Sequence, residues 1–99
     1  MRFVWDEAKG RANLRKHHID FADLEPFFIS DPVAGEDDSD PAEDRQKAIG
    51  WTEDVLLVVV FTETADVIRI ISARKATRHE EIGYWHAHGY RLGPPADHD

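Results

Sequence analysis

Eight consecutive residues, Val55 to Thr62 (VLLVVVFT), are almost wholly apolar on both of the alternating faces that a β-strand presents. Such a strand needs a neighbour on each side and cover above and below, so it predicts the centre of a small sheet packed against helices. The stretch Val67 to Thr77 (VIRIISARKAT) repeats the strand pattern and ends in Arg74, Lys75 and Thr77. A short turn around Ala65-Asp66 should join the two runs as an antiparallel hairpin. Cations at the end of a packed strand sit on a stiff part of the fold, a common way to hold charge for an anion.

The chain has 99 residues, enough for one domain with one modest core, expected over residues 1–90. Residues 91–99, with Pro94-Pro95, read as a disordered tail. No window approaches a membrane span, and the N-terminus MRFVWDEAKG lacks the apolar region of a signal peptide, so a soluble cytoplasmic protein is expected. There is no cysteine, which excludes disulfides and thiolate metal centres.

A net charge of -8 argues against phosphate binding until its distribution is read. Residues 31–54 hold nine acids against Arg45 and Lys47, a local charge of -7, which leaves about -1 for the rest. That segment reads either as a solvated loop or as a surface that meets a basic partner. The body of the chain is free to carry a basic site.

Arg2 to Trp5 reads as a first strand, and Asp6 as N-cap of a helix to about His17 whose Lys9, Asn13 and His17 share a face. A second helix starts at Asp20, with Ile19 placed to staple against Leu24 and with Phe21, Leu24, Phe27 and Phe28 as its buried side. Pro26 inside it predicts a kink or an early stop. After the acidic segment a strand runs from Arg45 to Thr52, then the hairpin, then a helix opened by the Thr77/Glu80 capping box and ended near Gly89. The fold class is α+β: two N-terminal helices and one C-terminal helix on a three- to five-stranded, mainly antiparallel sheet.

The stretches FVWDEAKGRANLRKHHIDF, FFISDP, VVVFTE and IRIISARKAT, in that order, closely resemble the BrnT toxins of type II toxin–antitoxin systems, members of the RelE-like ribonucleases. The resemblance covers about residues 3–84. It implies an endoribonuclease that inhibits translation and slows growth. It also implies neutralisation by a BrnA-like antitoxin, a ribbon-helix-helix DNA-binding protein, in a heterotetramer that reaches operator DNA only through the antitoxin. Lys9, Asn13, His17 and Arg45 match positions of the family pattern. Three features depart from it: His18 replaces a glycine, Pro26 interrupts a helix, and Glu80 and Glu81 make the segment after Thr77 less basic. Those carboxylates lower the local positive potential that draws RNA in.

Metal-free RNA cleavage needs a base for the 2′-hydroxyl, cations for the charge growing on the phosphate, and an acid for the 5′-oxygen. Arg69, Arg74 and Lys75 are candidates for the cations, His17 or Glu63 for the base, and Tyr84 or His79 for the acid or for stacking on a base. Lys9, Arg45, Arg74 and Lys75 are candidates for binding RNA. A regular strand points Arg69 and Arg74 to opposite faces, so both serve one site only with a bulge or at the strand end. Arg69 reads equally as a structural partner of Glu63 across the hairpin. Arg74 and Lys75 stand together beside the N–H groups of a helix start, an arrangement that favours an anion. No cofactor or metal is expected: His86 and His88, two apart on a helix, diverge. Trp5 reads as core, and Trp51 and Trp85 as core or interface. A rival reading keeps the fold and the antitoxin contact without catalysis, as a co-repressor module, and a third is a homo-oligomeric structural domain.

Overall fold

A computed structural model describes residues 1–37 and 44–87, and in it the double-faced run becomes the middle of a five-stranded sheet. The strands are β1 (Arg2–Trp5), β2 (Val33–Asp37), β3 (Arg45–Thr52), β4 (Val55–Thr64) and β5 (Val67–Lys75), in spatial order β1-β5-β4-β3-β2. Every neighbouring pair is antiparallel except β1 with β5. The helices are α1 (Glu7–His17), α2 (Glu25–Ile29) and α3 (Arg78–Ala87). None of them is long and apolar enough to cross a membrane.

Leu57, Val59 and Phe61 of β4 face a core completed by Phe21, Leu24, Phe27, Ala48, Ile68 and Ile70. Phe28 stacks between Phe3 and Phe61, with ring centroids 5.3 and 5.1 Å away, and Trp5 meets Phe21 edge-on at 6.1 Å. A Cβ on Gly50 would lie 2.8 Å from the Pro32 Cβ, so the missing side chain lets Pro32 and Phe27 close onto β3. On the opposite face α3 packs against β3, where Tyr84 and Trp85 meet Trp51, the partner of Leu56. Both hairpins turn through two residues, Glu53-Asp54 and Ala65-Asp66, with positive φ (57° and 52°) at the first of each.

The helix expected from Asp20 is divided. Asp20 Oδ1 accepts the Ala22 N–H at 3.0 Å and caps a single 3-10 turn, Phe21–Asp23, after which α2 begins afresh. Pro26 occupies the first turn of α2, where its missing N–H has no partner to lose. The phenylalanines and Leu24 still reach the core, because the break re-aims the chain between them.

The acidic segment differs from expectation at its start. Val33–Asp37 is not loop but the edge strand β2, paired with β3 from Val33–Ile49 to Asp37–Arg45. Its sequence, VAGED, carries too few apolar residues to signal a strand, and pairing with β3 supplies what local propensity does not. The remainder of the acidic segment at 38–43, the helix end at Gly89, His88 and the tail lie outside the described residues.

Helix α1 opens with Asp6 accepting the Lys9 N–H at 3.0 Å, and its one buried residue is polar. Asn13 Oδ1 accepts the N–H of Ala73, and its Nδ2 donates to the carbonyl of Ile19, both at 3.0 Å. Pairing of β1 with β5 stops at Ile70, so Asn13 satisfies an edge N–H that would otherwise cost roughly 1–3 kcal/mol. Of the face shared by Lys9, Asn13 and His17, this residue therefore holds the fold together. The helix ends at His18, whose φ of 60° and ψ of 30° are left-handed and whose N–H donates to Leu14. That geometry explains why a glycine suits this position. His18→Gly should raise stability by about 0.5 kcal/mol, the relief of left-handed strain less the added entropy of the unfolded chain. Urea unfolding checks it: the midpoint should rise with an unchanged m-value, and a fall would mean that His18 makes a compensating contact.

Candidate functional site: a cationic sheet face

Between Val60 and Phe61 the register of β4 against β5 shifts: Phe61 pairs with Ile70 but Val60 pairs with Ser72, so Ile71 is an extra residue. This bulge decides which side chains meet. Arg69 pairs with Thr62 and Arg74 with Val58, four residues apart on β4, so both arginines project from the same face. Lys47 pairs with Val60 and therefore shares that face, as does Arg45 two residues before it on β3. Strand spacing sets Arg45 and Arg69 roughly 10 Å apart across β4. Val60, Thr62 and Ser72 form the half-buried floor between them.

Sequence reasoning left out Lys47, which it counted only as part of an acidic segment. The available signal was its two-residue spacing from Arg45, which on a strand gives a common face.

Arg74 and Lys75 do not form one anion site. β5 runs on through Lys75, so the two alternate: Lys75 pairs with Leu57 on the side of the helical core, and Arg74 turns the other way. Two N–H groups at the start of α3 are also taken by the protein itself. Glu80 Oε1 accepts the Thr77 N–H at 2.8 Å, and the Glu80 N–H donates to Thr77 Oγ1 at 3.1 Å, which realises the expected capping box. The same carboxylate binds Arg74 through two parallel hydrogen bonds of 2.7 and 2.8 Å, with Lys47 Nζ 3.7 Å away. The anion at this junction is the protein's own Glu80.

These contacts set the titration of the pair. The Arg74 hydrogen bonds, with the Thr77 N–H and hydroxyl, lower the Glu80 carboxyl to about 2 against the opposing effect of burial. Arg74 is raised above its ordinary value by the same hydrogen bond.

The remaining candidates are dispersed. Glu63 pairs with Ile68 while Arg69 pairs with Thr62, so they project from opposite faces and the expected cross-hairpin pair does not form. His17 is half-buried on α1, an element that packs on β5 and the 3-10 turn. Lys9 is exposed on the same helix and His79 on α3. Tyr84 is buried in an aromatic cluster, edge-on to Trp51 at 6.3 Å and to Trp85 at 5.3 Å, which pins α3 to the sheet. Burial raises its phenol, against a Trp51 hydrogen bond that lowers it. Trp51 and Trp85 thus pack as expected, and so does Trp5.

A carboxylate with a depressed pKa stabilises the fold above its unfolded value, near 4.5, and stops doing so as pH falls through about 2. Glu80 is largely shielded and Arg74 is partly exposed, so the pair should contribute on the order of 2 kcal/mol after screening. Glu80→Gln should lose about that much at pH 7 and little at pH 2. Equal destabilisation at both would show that packing of the side chain, not its charge, is what matters.

The model of the family described as the ribonuclease toxin, BrnT, of type II toxin–antitoxin systems matches residues 5–80. A 1.1 Å crystal structure of the Brucella abortus ribonuclease toxin BrnT superposes with a TM-score of 0.67 at 33% identity, over 79% of this chain and 99% of that one. No curated protein matches the chain. The matched region holds every strand of the cationic face, its bulge and Glu80, and the chain belongs to the BrnT family of type II toxin–antitoxin ribonuclease toxins.

Proposed function

We propose that the protein is a cytoplasmic toxin that cleaves RNA without a metal on the face formed by Arg45, Lys47, Arg69 and Arg74. The observation that carries this reading is the Ile71 bulge, which gathers cations from two non-adjacent strands over one shallow floor. In the reaction the 2′-oxygen of RNA bonds to the adjacent phosphorus as the bond to the 5′-oxygen breaks. The cations stabilise the charge that grows on the phosphate between those events. Lys47, in the middle of the face, carries protons for the departing 5′-oxygen. Glu80, held near 2, is too weak a base to take the 2′-proton, which passes instead to the imidazole of His79, its neighbour in sequence. Lys75, Glu63 and buried Tyr84 have no part in this chemistry.

A BrnA-like antitoxin neutralises the toxin in a heterotetramer that represses its own operon. The second reading, a non-catalytic co-repressor module, is favoured by one observation: Glu80 already takes both guanidinium nitrogens of Arg74.

Cleavage of RNA in EDTA by the purified protein separates the two. Lys47→Ala and Arg69→Ala should each slow it by roughly 10²-fold, the size expected for losing one preorganised donor, while Lys75→Ala stays within about twofold of the parent. Cleavage only with added magnesium would defeat the metal-free mechanism. Intact RNA under every condition would establish the co-repressor reading.

A further inference from the structure

The face of the sheet opposite the cations carries a groove of about 580 Å³ between the 3-10 turn, the start of α2 and the β3–β4 hairpin. Its apolar lining is half-buried Ile19 and Val55 with exposed Ala22 and Pro26, beside Leu24 and Leu57, which are already buried. Its rim is acidic: Asp20, Asp23, Glu25 and Glu53 are all exposed, against Lys75 at one side. This pattern excludes RNA, since four carboxylates repel phosphate. It does not suit a metal either, because among the described residues no three His, Asp or Glu side chains come together to hold one. A small polyamine would satisfy the rim but leave Ile19, Val55 and Pro26 without an apolar partner.

We propose that this groove seats a basic amphipathic segment of a partner protein, its apolar side chains on that apolar lining and its lysines or arginines against the acidic rim. The volume lies within the range of clefts that hold ligand-sized groups, enough for a few large side chains. A partner held here leaves the cationic face open, because the two surfaces lie on opposite sides of β4. The inference requires a protein partner, as the family implies, and does not require that the toxin cleave RNA.

The probe is an acetylated 14-residue lysine/leucine peptide with one apolar helical face, titrated into the full-length ¹⁵N-labelled protein. The amide shifts should centre on Ile19, Asp23, Glu53 and Val55. The triple variant Asp23→Asn, Glu25→Gln, Glu53→Gln should bind at least tenfold more weakly. Removing the same charge elsewhere, with Glu7→Gln, Glu81→Gln and Asp66→Asn, should change affinity less than twofold. A peptide of equal charge with its leucines replaced by serine should fail to bind. Equal weakening in both triple variants, shifts centred elsewhere, or equal binding of the serine peptide or of spermine would overturn the proposal. Arg69→Ala should leave peptide binding unchanged, which keeps this test separate from that of catalysis.

Discussion

Burial of β4 on both faces is the constraint from which the rest of the structure follows. Leu57 and Val59 must be covered on one side, and Leu56 and Val58 on the other, all at less than a tenth exposure. One side is met by the 3-10 turn and α2, whose phenylalanines fill the core. On the other, α3 packs over Trp51, the β3 partner of Leu56, and Leu56 and Val58 are buried while Val60 and Thr62 are half-buried. The half-buried remainder of that face is where Arg45, Lys47 and Arg69 project. The candidate site thus lies on that half-buried remainder of the central sheet.

Two local devices make that remainder cationic. The extra residue at Ile71 reverses the alternation of β5 halfway along, which brings Arg69 onto the side of Arg74. Glu80 then sets the boundary of the face: it caps α3, holds Arg74 in two hydrogen bonds and stands 3.7 Å from Lys47. A carboxylate among cations both orders the side chains and competes for them with an incoming phosphate. On the proposed reading that competition weakens the site, and because the Glu80 carboxyl is lowered to about 2 it persists across the neutral pH range.

The central hairpin, the first strand and helix, and the Thr77/Glu80 capping box were legible because each rests on a local signal: two-faced apolarity, an Asp N-cap, a residue pair three apart. Pro26 announced a break, and the structure places it as a helix start instead. What could not be read depends on partners distant in sequence. β2 exists because β3 offers it hydrogen bonds, the bulge because β4 and β5 settle into different registers on either side of Val60. Arg74 and Lys75 stand apart for the same reason, since β5 stays paired with β4 through Lys75 and the two side chains alternate. Asn13 matched a family motif without revealing that its amide completes the edge of β5.

The central claim is that the bulge builds one phosphate-binding face. Titrating a short 2′-O-methyl RNA, which binds without being cleaved, into ¹⁵N-labelled protein tests it directly. The account predicts amide shifts at Lys47, Val60, Thr62, Arg69 and Ser72, with the signals of Val55, Leu57 and Lys75 unmoved. Shifts centred on Lys75 and its neighbours, with the Lys47 and Arg69 signals still, would contradict it.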